Sequence, residues 1–298
     1  MTSIERILCP IDFSDSSQHA LGYATAIARW YEARLTVLFV YSNVAAMDLP
    51  PLILDDVDRE RLLSEMRRFA SCVPSTVPVD FLLQEAGFAH DEIVAQASAT
   101  RADLLVLGTH GRSGFQHLFL GSVTEKVMRK AACPTLIVPP RVPDTTAPAF
   151  AQFRRILCPI DFSDSSLAAL EYAFGIAEET DAQLTLLHVV EIPPVISDEP
   201  AVIGVDLSRL REVTEERARR RLQDLVPEQV RTFCTIDTAV TEGRAHREIL
   251  RQAAEQQSDL VVMGVHGRGA LDLLVFGSTT HHVIRASACP VLIVRQGG

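Results

Sequence analysis

No run of about 18 apolar residues occurs anywhere in the chain, so no segment is long and apolar enough to cross a bilayer as a helix. The opening, "MTSIERILCPID", puts charge where a secretion signal needs an apolar stretch, and no such signal is read there. Six cysteines occur without a C-x-x-C pair, and Cys9, Cys133, Cys158 and Cys289 each stand directly before a proline in an apolar stretch. Buried, reduced thiols packed as small hydrophobes are the expectation, and a cytoplasmic location follows from it. Lysine is nearly missing too. Only Lys126 and Lys130 occur, and no basic run offsets a net charge of −10, which argues against a nucleic-acid-binding surface.

What is there is one unit written twice. "RILCPIDFSDSS" at 6–17 recurs letter for letter at 155–166, 149 residues on. "GTHGR" at 108 matches "GVHGR" at 264, now 156 residues on, so the second copy holds an insertion of seven. "LTVLFV" at 35–40 still matches "LTLLHV" at 184–189, which puts the insertion around "EIPPVISDEPAVIG" at 191–204. Between the copies, "PPRVPDTTAPAF" at 139–150 carries four prolines and no apolar period, as a semi-rigid linker does. The division expected is 1–140, a linker at 141–152, and 153–298.

Within the first copy, "RILCPI", "RLTVLFVY", "VDFLLQE", "ADLLVLG" and "TLIV" read as strands. A helix over 15–33 separates the first two, with Ala20, Leu21, Ala24, Ile27 and Ala28 on one face, and helical patterns run from Asp58 to Phe69, from His90 to Ser98 and after Ser122. Near-continuous Val/Ile/Leu strands alternating with helices mark a parallel sheet covered on both faces. Each copy is therefore read as a doubly wound α/β unit of five strands.

The stretch "GTHGRSGFQHLFLGS" at 108–122, echoed by "GVHGRGALDLLVFGS" at 264–278, carries the chemistry. Gly108 ends a buried strand at the carboxyl edge of the sheet, where open α/β folds bind ligands. Glycine lets backbone N–H groups approach a ligand. Ser122 opens a helix whose free N–H groups favour a phosphate. No lysine follows as in G-x-x-x-x-G-K-[S/T], and the segment is no G-x-G-x-x-G fingerprint. A rival reading makes "SVTE" at 122–125 a capping box. "STTH" at 278–281 lacks the glutamate that a capping box needs, yet Gly277 and Ser278 keep their spacing from Gly264 and Gly267. Asp12 and Asp161, at the tip of the first strand, either flank the ligand or cap the next helix, a task open also to Ser14 and Asp15. Arg112 and Arg268 are either bidentate phosphate contacts or solvated loop arginines. His110 and His266 shape the loop, His90 and His246 serve the first turn of a helix, and the adjacent His281 and His282 do not form a metal pair.

G-x2-G-x9-G-[S/T], with "PIDFS" after the first strand, resembles the nucleotide-binding pattern of the universal stress protein family. It is met by Gly108, Gly111, Gly121 and Ser122, and again by Gly264, Gly267, Gly277 and Ser278. The resemblance covers the chain outside the linker, as a tandem two-domain member. It implies the strand order 3-2-1-4-5 of the adenine nucleotide alpha hydrolase-like fold, and ATP bound in each half with Mg²⁺ held mainly by the phosphates. By the same resemblance, Asp12 and Asp161 lie beside the adenosine, with Pro10 and Pro159 shaping that edge and Val40 and Val189 packing on adenine. Gly108, Thr109, His110, Gly111 and Arg112 wrap ribose and phosphates, as do Gly264, Val265, His266, Gly267 and Arg268. Ser122, Val123 and Thr124, and Ser278, Thr279 and Thr280, hold the phosphate tail.

"CPTLIVPP" at 133–140 and "CPVLIVRQ" at 289–296 would be aggregation-prone as open edges. Pairing them makes a pseudo-symmetric internal dimer, the assembly the resemblance implies, with a homodimer beyond it open. No catalytic lysine, poised base or carboxylate cluster surrounds the loops, so no catalytic residue and no metal held by side chains alone is read. The expectation is a stress-responsive ATP-binding sensor or regulator acting on an unknown protein partner. The alternative is a slow ATPase or adenylate-handling enzyme.

Overall fold

The computed structural model describes residues 4–42, 55–109, 120–140, 153–191, 207–232, 234–265 and 277–295. The chain divides into two compact units between residues 152 and 153. In the first, β1 (Arg6–Ile11), β2 (Arg34–Ser42), β3 (Val79–Ala86), β4 (Leu104–Gly108) and β5 (Thr135–Val138) alternate with α1 (Asp15–Trp30), α2 (Asp56–Phe69), α3 (Ala89–Ala99) and α4 (Ser122–Lys130). In the second, β6 (Arg155–Pro159), β7 (Gln183–Val190), β8 (Ile236–Glu242), β9 (Leu260–Gly264) and β10 (Val291–Val294) alternate with α5 (Asp164–Thr180), α6 (Leu207–Asp224), the one-turn α7 (Glu228–Arg231), α8 (Ala245–Glu255) and α9 (Ser278–Ala286).

The first unit's strands lie in the order β3-β2-β1-β4-β5, and the second unit's in the matching order β8-β7-β6-β9-β10. Every described ladder within a unit is parallel, for example Ile7↔Leu35 and Ile7↔Leu104, and Ile156↔Leu184 and Ile156↔Leu260. The central strands are covered on both faces: Leu104 to Leu107 and Leu260 to Met263 are all buried. That burial is why they read as unbroken apolar runs rather than as alternating ones. Helix α1 packs on β1, β4 and β5, while α3 packs on α4 and β2. All five residues expected on the inner face of α1 are buried.

The chain reverses direction in the same way in both units. Glu32 and Asp181 (φ 51° and 52°), and Arg101 and Gln257 (both 51°), sit in the left-handed region just after a helix. There Ala33 N–H donates to the Ala28 carbonyl and Ala182 N–H to that of Ala177, at 2.9 and 3.0 Å. These are Schellman-type stops made without glycine. Helix α1 ends at Trp30 for this reason, three residues short of the sequence expectation. At the amino edge, the Asp103 carboxylate accepts from the N–H groups of Glu5 and Arg6, and Asp259 does the same for Arg154 and Arg155.

Candidate functional site

The strand order reverses between β1 and β4, and between β6 and β9, so the carboxyl ends of those pairs flank a crevice in each unit. Beyond β1 the chain makes a tight turn into α1. Phe13 holds φ 63°, an uncommon conformation for a bulky residue, and Phe162 holds the same value. The turn is locked by hydrogen bonds. The N–H and hydroxyl of Ser14 donate to Asp12 Oδ1 at 3.1 and 2.5 Å, and those of Ser163 donate to Asp161 Oδ1 at 3.0 and 2.5 Å. Ser14 and Ser163 are in turn the N-caps, accepting from Ser17 and Ser166 N–H. Of the two sequence readings of Asp12, the helix cap falls to Ser14, which Asp12 supports. Asp12 sits at the switch point, and one of its oxygens organises the helix cap.

At the opposite wall, Gly108 and Gly264 need to be glycine for a local reason. A Cβ on Gly108 would lie 2.9 Å from the Ser16 carbonyl oxygen, and one on Gly264 would lie 2.7 Å from the carbonyl carbon and oxygen of Ser165. The first glycine of the pattern is therefore absent a side chain because β4 runs against the first turn of α1. This packing requirement stands beside the expectation that the glycine frees the backbone for a ligand. Nothing in the spacing marks Ser16 or Ser165 as the partners, since they lie 92 and 99 residues upstream.

The loop that follows is pinched at its base. Thr109 N–H donates to the Val138 carbonyl (3.0 Å), and the Thr109 carbonyl accepts from Gly121 N–H (2.7 Å). Val265 repeats this with Val294 (3.0 Å) and Gly277 (3.1 Å). Thr109 and Val265 are buried; their N–H groups are spent on β5 and β10, and their carbonyls close the loop. The Thr124 hydroxyl donates to the Gly108 carbonyl at 2.8 Å, and the Thr280 hydroxyl to that of Gly264 at 3.0 Å. These two threonines, expected at a phosphate tail, turn their hydroxyls to the strand end and fasten the helix start to it. What they keep for a ligand is the main-chain N–H.

Helices α4 and α9 begin at Ser122 and Ser278, with Gly121 and Gly277 as N-caps and no side-chain cap among the described residues. The capping-box reading of Ser122 is thereby set aside: it is the first helical residue, one place too late to cap. The first N–H groups of a helix have no partner inside it. Elsewhere in the same units α1, α2 and α5 fill that need with Ser14, Asp55 and Ser163. Gly121 (φ −57°, ψ 139°) and Gly277 (φ −57°, ψ 138°) adopt dihedrals open to any residue, so their dihedrals alone do not call for glycine.

Pro10 is buried and Pro159 half-buried at the ends of β1 and β6, and Val40 and Val189 are half-buried near the ends of β2 and β7. His110, Gly111, Arg112, His266, Gly267 and Arg268 lie outside the described residues, as do most of the linker and of the insertion. Among the described residues no group of three or more His, Cys, Asp or Glu could hold a metal ion. Cys9 and Cys158 are fully buried, and burial pushes the Cys9 thiol up to about 12, so neither is a thiolate at neutral pH.

Two further residues stand beside the helix starts, one turn in, at corresponding places of the repeat: Lys126 on α4 and His282 on α9. The sequence signal for them is a nitrogen-bearing basic side chain at the same position in both copies.

The sequence model of the universal stress protein family matches residues 3–139 and again 152–295. Universal stress protein MJ0531 of Methanocaldococcus jannaschii is 32% identical over 144 residues, covering 48% of this chain and 83% of that protein. Universal stress protein Rv2005c of Mycobacterium tuberculosis is 30% identical over 207 residues, which is 66% of this chain and 63% of that relative, so less than two thirds of it is spanned. A solved universal stress protein from Archaeoglobus fulgidus superposes with a TM-score of 0.65 at 23% identity, covering 98% of both chains. Protein PA1789 of Pseudomonas aeruginosa does so with 0.69 at 18% identity, covering 99% of this chain and 94% of that one. Both likenesses concern the fold. Among the described residues no helix is long and apolar enough to cross a membrane.

Proposed function

Starting from the membership of this chain in the universal stress protein family, as two copies in tandem, we propose that each half binds an adenine nucleotide, ATP in the first instance, at the crevice beside its uncapped helix. One observation carries the reading. In both units a helix starts beside the strand-order switch with glycine as its cap, and a threonine hydroxyl fastens that start to the end of the neighbouring strand. Fixed main-chain donors with the positive end of a helix dipole behind them suit a phosphate tail. A glycine whose dihedrals do not demand it leaves room for phosphate oxygens against the backbone.

In this reading Asp12 and Asp161 border the nucleoside, Val40 and Val189 give its base an apolar seat, and Arg112 and Arg268 neutralise phosphate charge. Mg²⁺ comes with the phosphates. Occupancy of the two sites sets the conformation of the loops above them and thereby the choice of protein partner, as in a sensor or regulator. Calorimetry with ATP, and mass spectrometry of the small molecule released on denaturation, test this. The wild-type chain is expected to bind two equivalents of adenine nucleotide, and the double variant Gly121→Val/Gly277→Val none. Absence of uptake by the wild type at millimolar ATP sinks the reading.

A further inference from the structure

The walls beside the two helix starts carry opposite charge arrangements on the same backbone. In the first unit, Lys130 Nζ lies 2.6 Å from Asp91 Oδ1, and His90 Nε2 lies 3.5 Å from Asp91 Oδ2. Lys130, then His90 and Lys126, hold the Asp91 carboxyl below its ordinary value, against a smaller desolvation effect. In the second unit the corresponding residues are Arg247 for Asp91, Ala286 for Lys130, His246 for His90 and His282 for Lys126. The carboxylate has become a guanidinium, and the permanent cation one turn into the helix has become an imidazole.

That imidazole is placed. His282 Nδ1 lies 2.6 Å from the carbonyl oxygen of Ser278, the first residue of α9, so Nδ1 carries the proton and the lone pair is on Nε2. Its ring stacks on that of His246 from α8, with centroids 4.7 Å apart and planes 28° apart, and meets His281 edge-on at 6.2 Å. The charged groups that act on His246 are Arg247 and Arg244 on the α8 side and Glu191 after β7, whose carboxylate also accepts from Ala245 N–H at 2.8 Å.

We propose that the second half's anion site carries a proton linkage that α4 lacks: the stacked pair His246–His282 takes up a proton when a polyphosphate binds at the start of α9, doing conditionally what Lys126 does permanently on α4. The proposal rests on reading both helix starts as nucleotide phosphate sites. Without an anion, the surroundings of His246 disfavour its charged form. Burial first, then His282, Arg247 and Arg244, push His246 below its ordinary value, and Glu191 only partly opposes them. A polyphosphate one turn away reverses the local field and favours imidazolium. By linkage, affinity then rises as pH falls through the histidine range. The ligand-free fold runs the other way. A histidine whose folded pKa is depressed contributes stability that is full above its unfolded value of about 6.5 and declines as pH falls below it.

The test uses the full chain with ATP as probe. Gly121→Val leaves the second site and Gly277→Val leaves the first. Calorimetry near pH 6 and near pH 8 is expected to show the second site gaining about fivefold in affinity at the lower pH relative to the first, the size of one added charge at partly screened range. The titration of ATP itself is common to both sites and cancels in the ratio. His282→Lys is expected to remove the difference at the higher affinity, and His282→Gln at the lower. In the wild-type chain, calorimetry in two buffers of different ionisation heat is expected to show proton uptake beyond that of a Gly277→Val control. A pH-independent ratio, or a ratio unchanged by His282→Gln, overturns the proposal and leaves the nucleotide reading standing. Failure of either site to take up ATP at any pH overturns both.

Discussion

The turn that follows the first strand is built twice with the same backbone and covered in two different ways. In the first unit Phe13 is clasped by Phe39 (centroids 4.7 Å apart) and edge-on by Phe69 (5.4 Å). In the second, Phe162 meets His188 at 4.8 Å, and the Arg221 guanidinium lies over its ring at 3.8 Å. His188 Nδ1 is 2.7 Å from the carbonyl oxygen of Ile160, so that ring is also pinned to the strand end. Despite this change of cover, Phe13 and Phe162 share φ 63°, and the aspartate–serine bonds agree within 0.1 Å. The turn is therefore set by its own hydrogen bonds and by the strand beside it. The aromatic cover adapts to whichever helix follows.

If the neighbouring strand holds the turn, a side chain on that strand should break it in both units. Gly108→Ala and Gly264→Ala are each expected to destabilise their own unit by about 1–3 kcal/mol, the usual cost of overpacking. The second should cost more, because its Cβ meets the backbone of Ser165 at 2.7 Å where that of Gly108 has 2.9 Å to the Ser16 carbonyl. Urea unfolding of each variant, with the unaltered unit as internal reference, measures this. Two neutral alanines would show that close approach is not what demands glycine.

The aspartates offer a finer separation. Asp12→Ala and Asp161→Ala remove an acceptor shared by a serine N–H and hydroxyl, and are expected to cost about 1 kcal/mol each. The asparagine variants keep a carbonyl oxygen at that place and are expected to cost less than half as much. ATP affinity, measured on the same proteins, divides the two roles. If asparagine keeps stability and loses affinity, the charge serves the ligand. If affinity tracks stability through both substitutions, the aspartate serves the cap.

Most of the fold was legible because its signals are local. The sequence expectations for β1, "RILCPI", and β5, "TLIV", are their observed extents, and the other three of that unit are off by a residue or two at their ends. Helix α1 overran because Glu32 makes a left-handed stop without the glycine that would announce it. α7 was missed, and a single turn is too short for any apolar period to mark. In the site, the glycine spacing marked the carboxyl edge of the sheet and left out the packing of Gly108 on Ser16, since that partner is remote in sequence. The seat of the Thr124 hydroxyl, the glycine caps and the histidine stack all depend on distances between elements, which a pattern along one segment does not contain.

The aromatic cover itself gives the smallest and most direct test of what differs between the units. Phe69 is a half-buried ring in contact with Phe13, and Phe69→Arg is expected to cost the first unit about 1–2 kcal/mol through lost apolar burial. Arg221 is exposed, so Arg221→Ala should cost only about 0.5–1 kcal/mol, the range of a solvent-exposed cation–π contact. Arg221→Phe replaces that contact with an aromatic one and is expected to restore the loss. Thermal unfolding of the three variants would show whether the covers are interchangeable. Were Arg221→Phe more damaging than Arg221→Ala, the guanidinium would be required for its charge, and the second unit's cover would be a selected polar feature rather than a tolerant one.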